Sequence, residues 1–210
     1  MSTKGLGILY GIVGVVLFSS KAVMVKLAYQ YQVETLDLLM FRMFLSLPFY
    51  VLILFIIRKK CPSVEIKAKD YLWLLAFGFV GYYLASYFDF LGLNYIKAGL
   101  ERIILFVYPT IVVFLGWLFF REKITKVQTT AIVITYIGVV VTFWNELEIV
   151  GNEALVGGFL VLLSAITYAS YLVGSGWLIP KFGVLRFTCY AMIVSTCCIL
   201  MHYLFSGDWE

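Results

Sequence analysis

Six ionic side chains interrupt stretches that are otherwise apolar: Lys21, Lys26, Arg42, Asp89, Glu101 and Arg102. A charge at the centre of a membrane-spanning helix costs at least about 2.5–3.5 kcal/mol on insertion scales, so each of these is a candidate for function. Four are cationic and two anionic, an excess of two positive charges. Ammonium and guanidinium groups hold carboxylates and phosphates, arginine in bidentate fashion. The chemistry on offer is capture of an anionic or zwitterionic solute, with Asp89 and Glu101 as the acids available to take up a proton. Tyr82, Tyr83 and Tyr87 supply hydroxyls, and Tyr87 stands two residues before Asp89. The bland alternatives are also open. Lys26, Glu101 and Arg102 can snorkel to an interface, Asp89 can serve as a structural partner of Arg42 or Arg102, and the tyrosines can simply pack.

The elements that position these side chains follow from composition. Of 210 residues, 63% are apolar and 13% charged, with a mean hydropathy of +0.98. A soluble domain is about 45–50% apolar and about 25% charged. Too little polar surface remains to cover a water-soluble fold, which excludes a soluble enzyme, a nucleic-acid binder and a disordered tail. Crossing about 30 Å of hydrocarbon takes about 20 helical residues. Seven segments qualify: Leu6–Ala28, Leu36–Ile57, Tyr71–Phe90, Ile103–Phe120, Val127–Trp144, Ala154–Val173 and Phe187–Phe205. Their apolar runs are continuous rather than alternating, so the fold class is all-α and polytopic, not a barrel. The first segment is too long for a signal h-region and lacks a small-residue cleavage site, so it is read as a retained span.

Loop charges set the expected orientation. Lys4, Arg58, Lys59, Lys60, Lys67, Lys69, Arg121, Lys123, Lys126, Lys181 and Arg186 fall on one side, against Lys97 and Arg102 on the other. The positive-inside rule then puts the amino terminus in the cytoplasm. All six intramembrane charges fall in the outer third, with Lys21 and Arg42 about 9–10 Å below the outer ends of their spans at 1.5 Å per residue. Pro109 should kink the fourth span. Glu122, between Arg121 and Lys123, reads most simply as part of an inner ion pair. His202, the single histidine, reads as an interfacial side chain, and the four cysteines, with no C-x-x-C pair, as packing residues.

Segments one and six align at an offset of 151: Gly7-Ile8-Leu9 faces Gly158-Phe159-Leu160, and Ser19 faces Ser170. An odd number of spans separates them, the arrangement of inverted repeats in secondary transporters. The stretch from Pro109 to Phe120, then Arg121-Glu122-Lys123-Ile124-Thr125 with Gln128 and Gly138, resembles the fourth-to-fifth helix signature of the EamA branch of the drug/metabolite transporter superfamily. Asp89-Phe90-Leu91-Gly92-Leu93-Asn94-Tyr95-Ile96 and Ala98-Gly99-Leu100-Glu101-Arg102 resemble one subgroup of it. The resemblance implies a central cavity lined by helices of both repeats, and a structural or gating role for Glu122. It also implies ten helices in two five-helix repeats. The expected organisation here is one full repeat, residues 1–145, and two helices of a second, residues 153–210.

The expected function is a secondary transporter, an exporter of a small organic metabolite, working by alternating access in the cytoplasmic membrane. Its partners are the lipid bilayer and an anionic or zwitterionic solute. The expected substrate-binding or cavity-facing residues are Lys21, Arg42, Tyr87, Asp89, Glu101 and Arg102, with Pro109 and Glu122 for kinking or gating. No nucleotide-binding loop, H-E-x-x-H or G-x-S-x-G is present, so neither an enzyme nor a cofactor or metal site is expected. The alternative is a truncated or partner-dependent membrane protein, completed by a second copy or by a chain that supplies the missing helices.

Overall fold

The computed structural model describes residues 3–57, 66–121, 123–142 and 151–206, and every described element is a helix. These are α1 (Thr3–Gln30), α2 (Thr35–Ile57), α3 (Ala68–Gly78), a π-helical stretch (Phe79–Leu84), α4 (Ala85–Tyr95), α5 (Ala98–Leu105), α6 (Tyr108–Phe120), α7 (Lys126–Thr142), α8 (Gly151–Phe182) and α9 (Val184–Ser206). α3, the π-helical stretch and α4 run on as one span, and α5 and α6 form another, so seven helical spans match the seven segments. Six are long and apolar enough to cross a membrane, and Lys126–Val141 is a shorter apolar helix. The protein is an all-α, multi-pass membrane protein.

Local chemistry explains the ends. Thr125 and Gln128 form a capping box for α7: the Gln128 N–H donates to the Thr125 hydroxyl at 3.2 Å, and the Thr125 N–H donates to Gln128 Oε1 at 2.8 Å. α8 runs through Pro180 and stops at Gly183, whose φ of +79° turns the chain into α9 while its N–H donates to the Ile179 carbonyl at 2.8 Å. That left-handed conformation suits glycine because it has no Cβ. The fourth span breaks at Phe106 and Val107. There the Val107 N–H donates to Ile104, a tightened last turn, and Thr110 and Ile111 donate to the Val107 carbonyl. Pro109 sits in the first turn of α6, where its missing N–H would have no helical partner in any case.

α8 is the central post, with α3, the π-helical stretch, α4, α5, α6 and α9 around it, while α2 lies along α9. Small residues permit the closest crossings. A Cβ on Gly81 would fall 2.1 Å from Tyr171 Cβ, and one on Gly92 would fall 2.9 Å from the Gly157 carbonyl oxygen. Buried Ala22, Val25, Leu39, Met43, Phe90 and Leu93 join α1, α2 and α4. Leu74, Tyr171, Leu178 and Phe187 join α3, α8 and α9.

The bundle has two distinct ends. At one, Lys181 Nζ lies 2.6 Å from Asp70 Oδ1 and 4.4 Å from the Trp177 ring centroid, and Arg186 donates to the Ile57 carbonyl at 3.0 Å. Lys67, Lys69 and Arg121 belong to that end. At the other, Asn94 donates to the Thr35 hydroxyl at 2.7 Å and the Tyr29 hydroxyl to the Phe90 carbonyl at 2.8 Å. Lys97 belongs there.

Candidate functional site

A cavity of about 260 Å³ opens between α1, α2, the π-helical stretch, α4, α6 and α8. Its ionic lining is Lys21, Arg42 and Asp89; Phe18, Tyr82, Tyr108 and Tyr168 form aromatic walls, with Ser86 and Ser164 between. The Ser164 hydroxyl donates to the Ala85 carbonyl at 2.7 Å. The π-helical stretch carries an extra residue per turn, which re-aims the side chains C-terminal to it. Gly81, Tyr82, Ala85, Ser86 and Asp89 then share the cavity wall.

Asp89 is 2% exposed and is paired with Lys21: Lys21 Nζ donates to Asp89 Oδ2 at 2.5 Å. Its partner is thus the lysine of α1 rather than Arg42 or Arg102. Lys21 also lies over the rings of Phe18 and Phe90, at 5.4 and 5.6 Å from their centroids. The Arg42 guanidinium stacks 5.0 Å over Phe90, and its buried Nη1 finds no acceptor among the described residues. An unmet charged donor of this kind is costly in a low-dielectric setting unless something enters to accept its hydrogen bond.

Glu101 is wholly buried at the first turn of α5, and Arg102 Nε stands 3.2 Å from its Oε2. Arg102 itself spans to α1, donating to the carbonyls of Phe18 and Ser19 and lying 5.2 Å over the Phe18 ring. The fold therefore brings Lys21, Arg42, Asp89, Glu101 and Arg102 together from α1, α2, α4 and α5. It leaves Lys26 half-buried and without an ion pair among the described residues. Tyr87 faces a different way: its ring meets that of His202 at 5.2 Å and that of Tyr83 at 6.3 Å, and it is not part of the cavity wall. His202 Nδ1 and the Tyr83 hydroxyl are 2.9 Å apart. Pro109 follows Tyr108, which does line the cavity, and Glu122 lies outside the described residues.

Sequence reasoning did not single out Tyr108, Tyr168, Ser86 or Ser164. Tyr108 borders Pro109, and that adjacency was the one available signal. Tyr168 and Ser164 stand four residues apart on α8 within a run that is apolar all round, and nothing in their spacing separates a cavity wall from ordinary packing.

The model of the EamA-like transporter family matches residues 5–144. An uncharacterized transporter of Bacillus subtilis, YcbK, is 32% identical over 201 residues, which cover 93% of this chain and 62% of that protein. An uncharacterized transporter of Archaeoglobus fulgidus is 29% identical over 132 residues, covering 63% of this chain and 46% of that protein. The chain thus spans about three fifths of the first relative's length. No solved structure matches it significantly. A family match over two thirds of the chain settles the assignment: this chain belongs to the EamA-like transporter family.

Proposed function

We propose that this chain forms the solute path of a secondary transporter for a small anionic or zwitterionic metabolite, working by alternating access in the cytoplasmic membrane with its amino terminus inside and exporting its solute. The observation that carries this reading is Arg42, whose buried Nη1 has no acceptor among the described residues and whose side chain lines the cavity. A carboxylate or phosphate of the solute would meet it, beside Lys21. Phe18, Tyr82, Tyr108 and Tyr168 would hold the solute's apolar part, and Pro109 and Glu122 would act in gating. The first repeat, residues 1–145, and the two helices of residues 153–210 would rock against each other around that point.

Flux into liposomes carrying the purified chain tests it. Arg42→Ala is expected to lower the flux of anionic solutes by at least about tenfold, since truncating one member of a buried charged pair costs about 2–5 kcal/mol. Neutral solutes should be affected far less. Equal losses for both would overturn the anion reading.

A partner-dependent protein is the second reading, favoured by one observation: α1 is exposed from Leu6 to Ser19, with nothing within 4 Å of where Cβ atoms would sit on Gly7, Gly11 and Gly14. Flux that appears only when a second chain is reconstituted alongside would decide for it.

A further inference from the structure

Arg42 lines the cavity, but the two acids beside the cavity have a problem of their own. Lys21 pairs with Asp89 and Arg102 with Glu101, and Arg102 also reaches the α1 carbonyls of Phe18 and Ser19 just before Lys21, so the two ion pairs of α1, α4 and α5 lie side by side. Asp89 is 2% and Glu101 0% exposed. Lys21 satisfies Asp89 Oδ2, yet Asp89 Oδ1 and both oxygens of Glu101 find no hydrogen-bond donor among the described residues. Arg102 Nε stands near Glu101 Oε2 as an ion pair, without the alignment of a hydrogen bond. Two carboxylates that share a buried site repel, by about 4 kcal/mol if 4 Å apart at an effective dielectric of about 20. A single proton between them removes the repulsion and supplies the missing donor at once. Like-charged acids that share a site in this way hold one proton between them.

We propose that Asp89 and Glu101 form an acid–carboxylate pair that binds one exchangeable proton, and that this proton is the coupling ion for the anion held at Arg42. The second half rests on the solute reading above; the first half does not. Lys21 of α1 and Arg102 of α5 pair with the two acids; Arg42 of α2, Tyr82 of the π-helical stretch, Tyr108 of α6 and Tyr168 of α8 line the cavity with Asp89, and Tyr29 of α1 donates to the neighbouring Phe90 carbonyl. His202 of α9 is turned toward Tyr83 and Tyr87 instead. With both acids ionised, three cations face two anions and the site carries one net positive charge; protonation of the pair makes it two. Each added positive charge strengthens the hold on an anion, and by linkage a bound anion strengthens the hold on the proton. Proton and anion therefore load together. They leave together when the site faces the other side, the proton passing to water; in export the solute's own outward gradient drives both, carrying the proton out with it.

Infrared difference spectra of the full chain in phosphatidylcholine liposomes, taken between acidic and alkaline buffers, read the carbonyl band of a protonated carboxylic acid without any solute. Wild type is expected to show such a band, titrating and shifting in deuterated water. Asp89→Asn and Glu101→Gln should each abolish it or move its midpoint, while Asp37→Asn leaves it alone. Arg102→Gln, which keeps both acids and removes a cation, should move the midpoint to higher pH. No titrating band in wild type, or an unmoved one in Asp89→Asn, Glu101→Gln or Arg102→Gln, overturns the pair. Inorganic phosphate, which does not absorb in this region, probes the coupling. It should raise the midpoint in wild type and not in Arg42→Ala. A midpoint indifferent to phosphate overturns the coupling to an anion while the proton pair stands.

Discussion

At the scale of single residues, the cavity depends on one glycine as much as on its charges. Gly81 lies where the π-helical stretch crosses α8, and a Cβ there would come within 2.1 Å of Tyr171 Cβ and 2.4 Å of its Cγ. The nearest atoms belong to the base of the side chain and cannot swing aside, so α8 or the stretch itself must move. Tyr171 is also tied in, its hydroxyl donating to that of Tyr82 at 3.3 Å and its ring stacked on Phe187. Overpacking of this kind costs about 1–3 kcal/mol, and Gly81→Ala should lower the thermal unfolding midpoint in detergent accordingly. Gly176, on the same α8, has nothing within 4 Å of a would-be Cβ. Gly176→Ala should leave the midpoint unchanged or raise it, because alanine is the better helix former by about 1 kcal/mol. Similar melting of the two variants would mean that the crossing at Gly81 is looser than the structure has it.

At the scale of elements, the π-helical stretch is the device that aims Asp89. A π turn holds one more residue than the α-helix expects and is often found at functional sites. Removing one residue from the stretch should let the span close into a regular α-helix that stays in phase, because the wide turn's extra residue is what is taken out, whereas removing one from the regular helix beyond it turns everything after by about 100°. Deletion of Val80 is therefore expected to keep the helical circular-dichroism signal and most of the anion flux. Deletion of Phe88 should keep the signal but swing Asp89 away from Lys21 and lower the flux by more than about tenfold, the factor that about 1.4 kcal/mol represents. Equal flux in the two variants would show that the register of this span does not set the site. This element was not legible in the sequence, and the reason is physical: Phe79–Leu84 carries no proline and no polar break, and hydropathy is blind to whether a turn holds one residue more or fewer. What hydropathy does register is length and polarity, and these were enough to find all seven spans and the ionic residues that interrupt them. The span expected to end at Val173 is a second instance of the limit: Gly174 gives room to the Phe77 ring and Pro180 falls in the last turn, so α8 continues to Phe182. Depth along a span was likewise readable, whereas angular direction was not. Tyr87 and Asp89 are neighbours in sequence yet face His202 and Lys21 respectively.

At the scale of the whole molecule, charge is sorted between the two ends. Asp70 and Lys181 meet at one end, where Arg186 also reaches Ile57. Phe120, the last residue of α6, shares a cleft with Trp177 near the end of α8, so Arg121 and Lys123 come out onto that same end. The opposite end, where Asn94 meets Thr35, holds Lys97. The contacts that make these two groups are independent of the charges of Lys69, Lys123 and Lys97, so the sorting is a property of the fold and not only of a hydropathy plot. If the lysine-rich end stays in the cytoplasm, as the positive-inside rule requires, the cavity acid Asp89 and the buried Glu101 beside it lie toward the outer face, where export would deliver the solute. Single cysteines in place of Lys69, Lys123, Lys181 and Lys97, in a chain whose four native cysteines are serine, test this in intact cells with a thiol reagent that does not cross membranes. Only the cysteine replacing Lys97 is expected to react before the cells are opened, and the other three only afterwards. Reaction of Lys69→Cys and Lys123→Cys from different faces would contradict the bundle itself. Reaction of all three inner positions from outside would keep the bundle but reverse it, and would turn the cavity's acids to the cytoplasm.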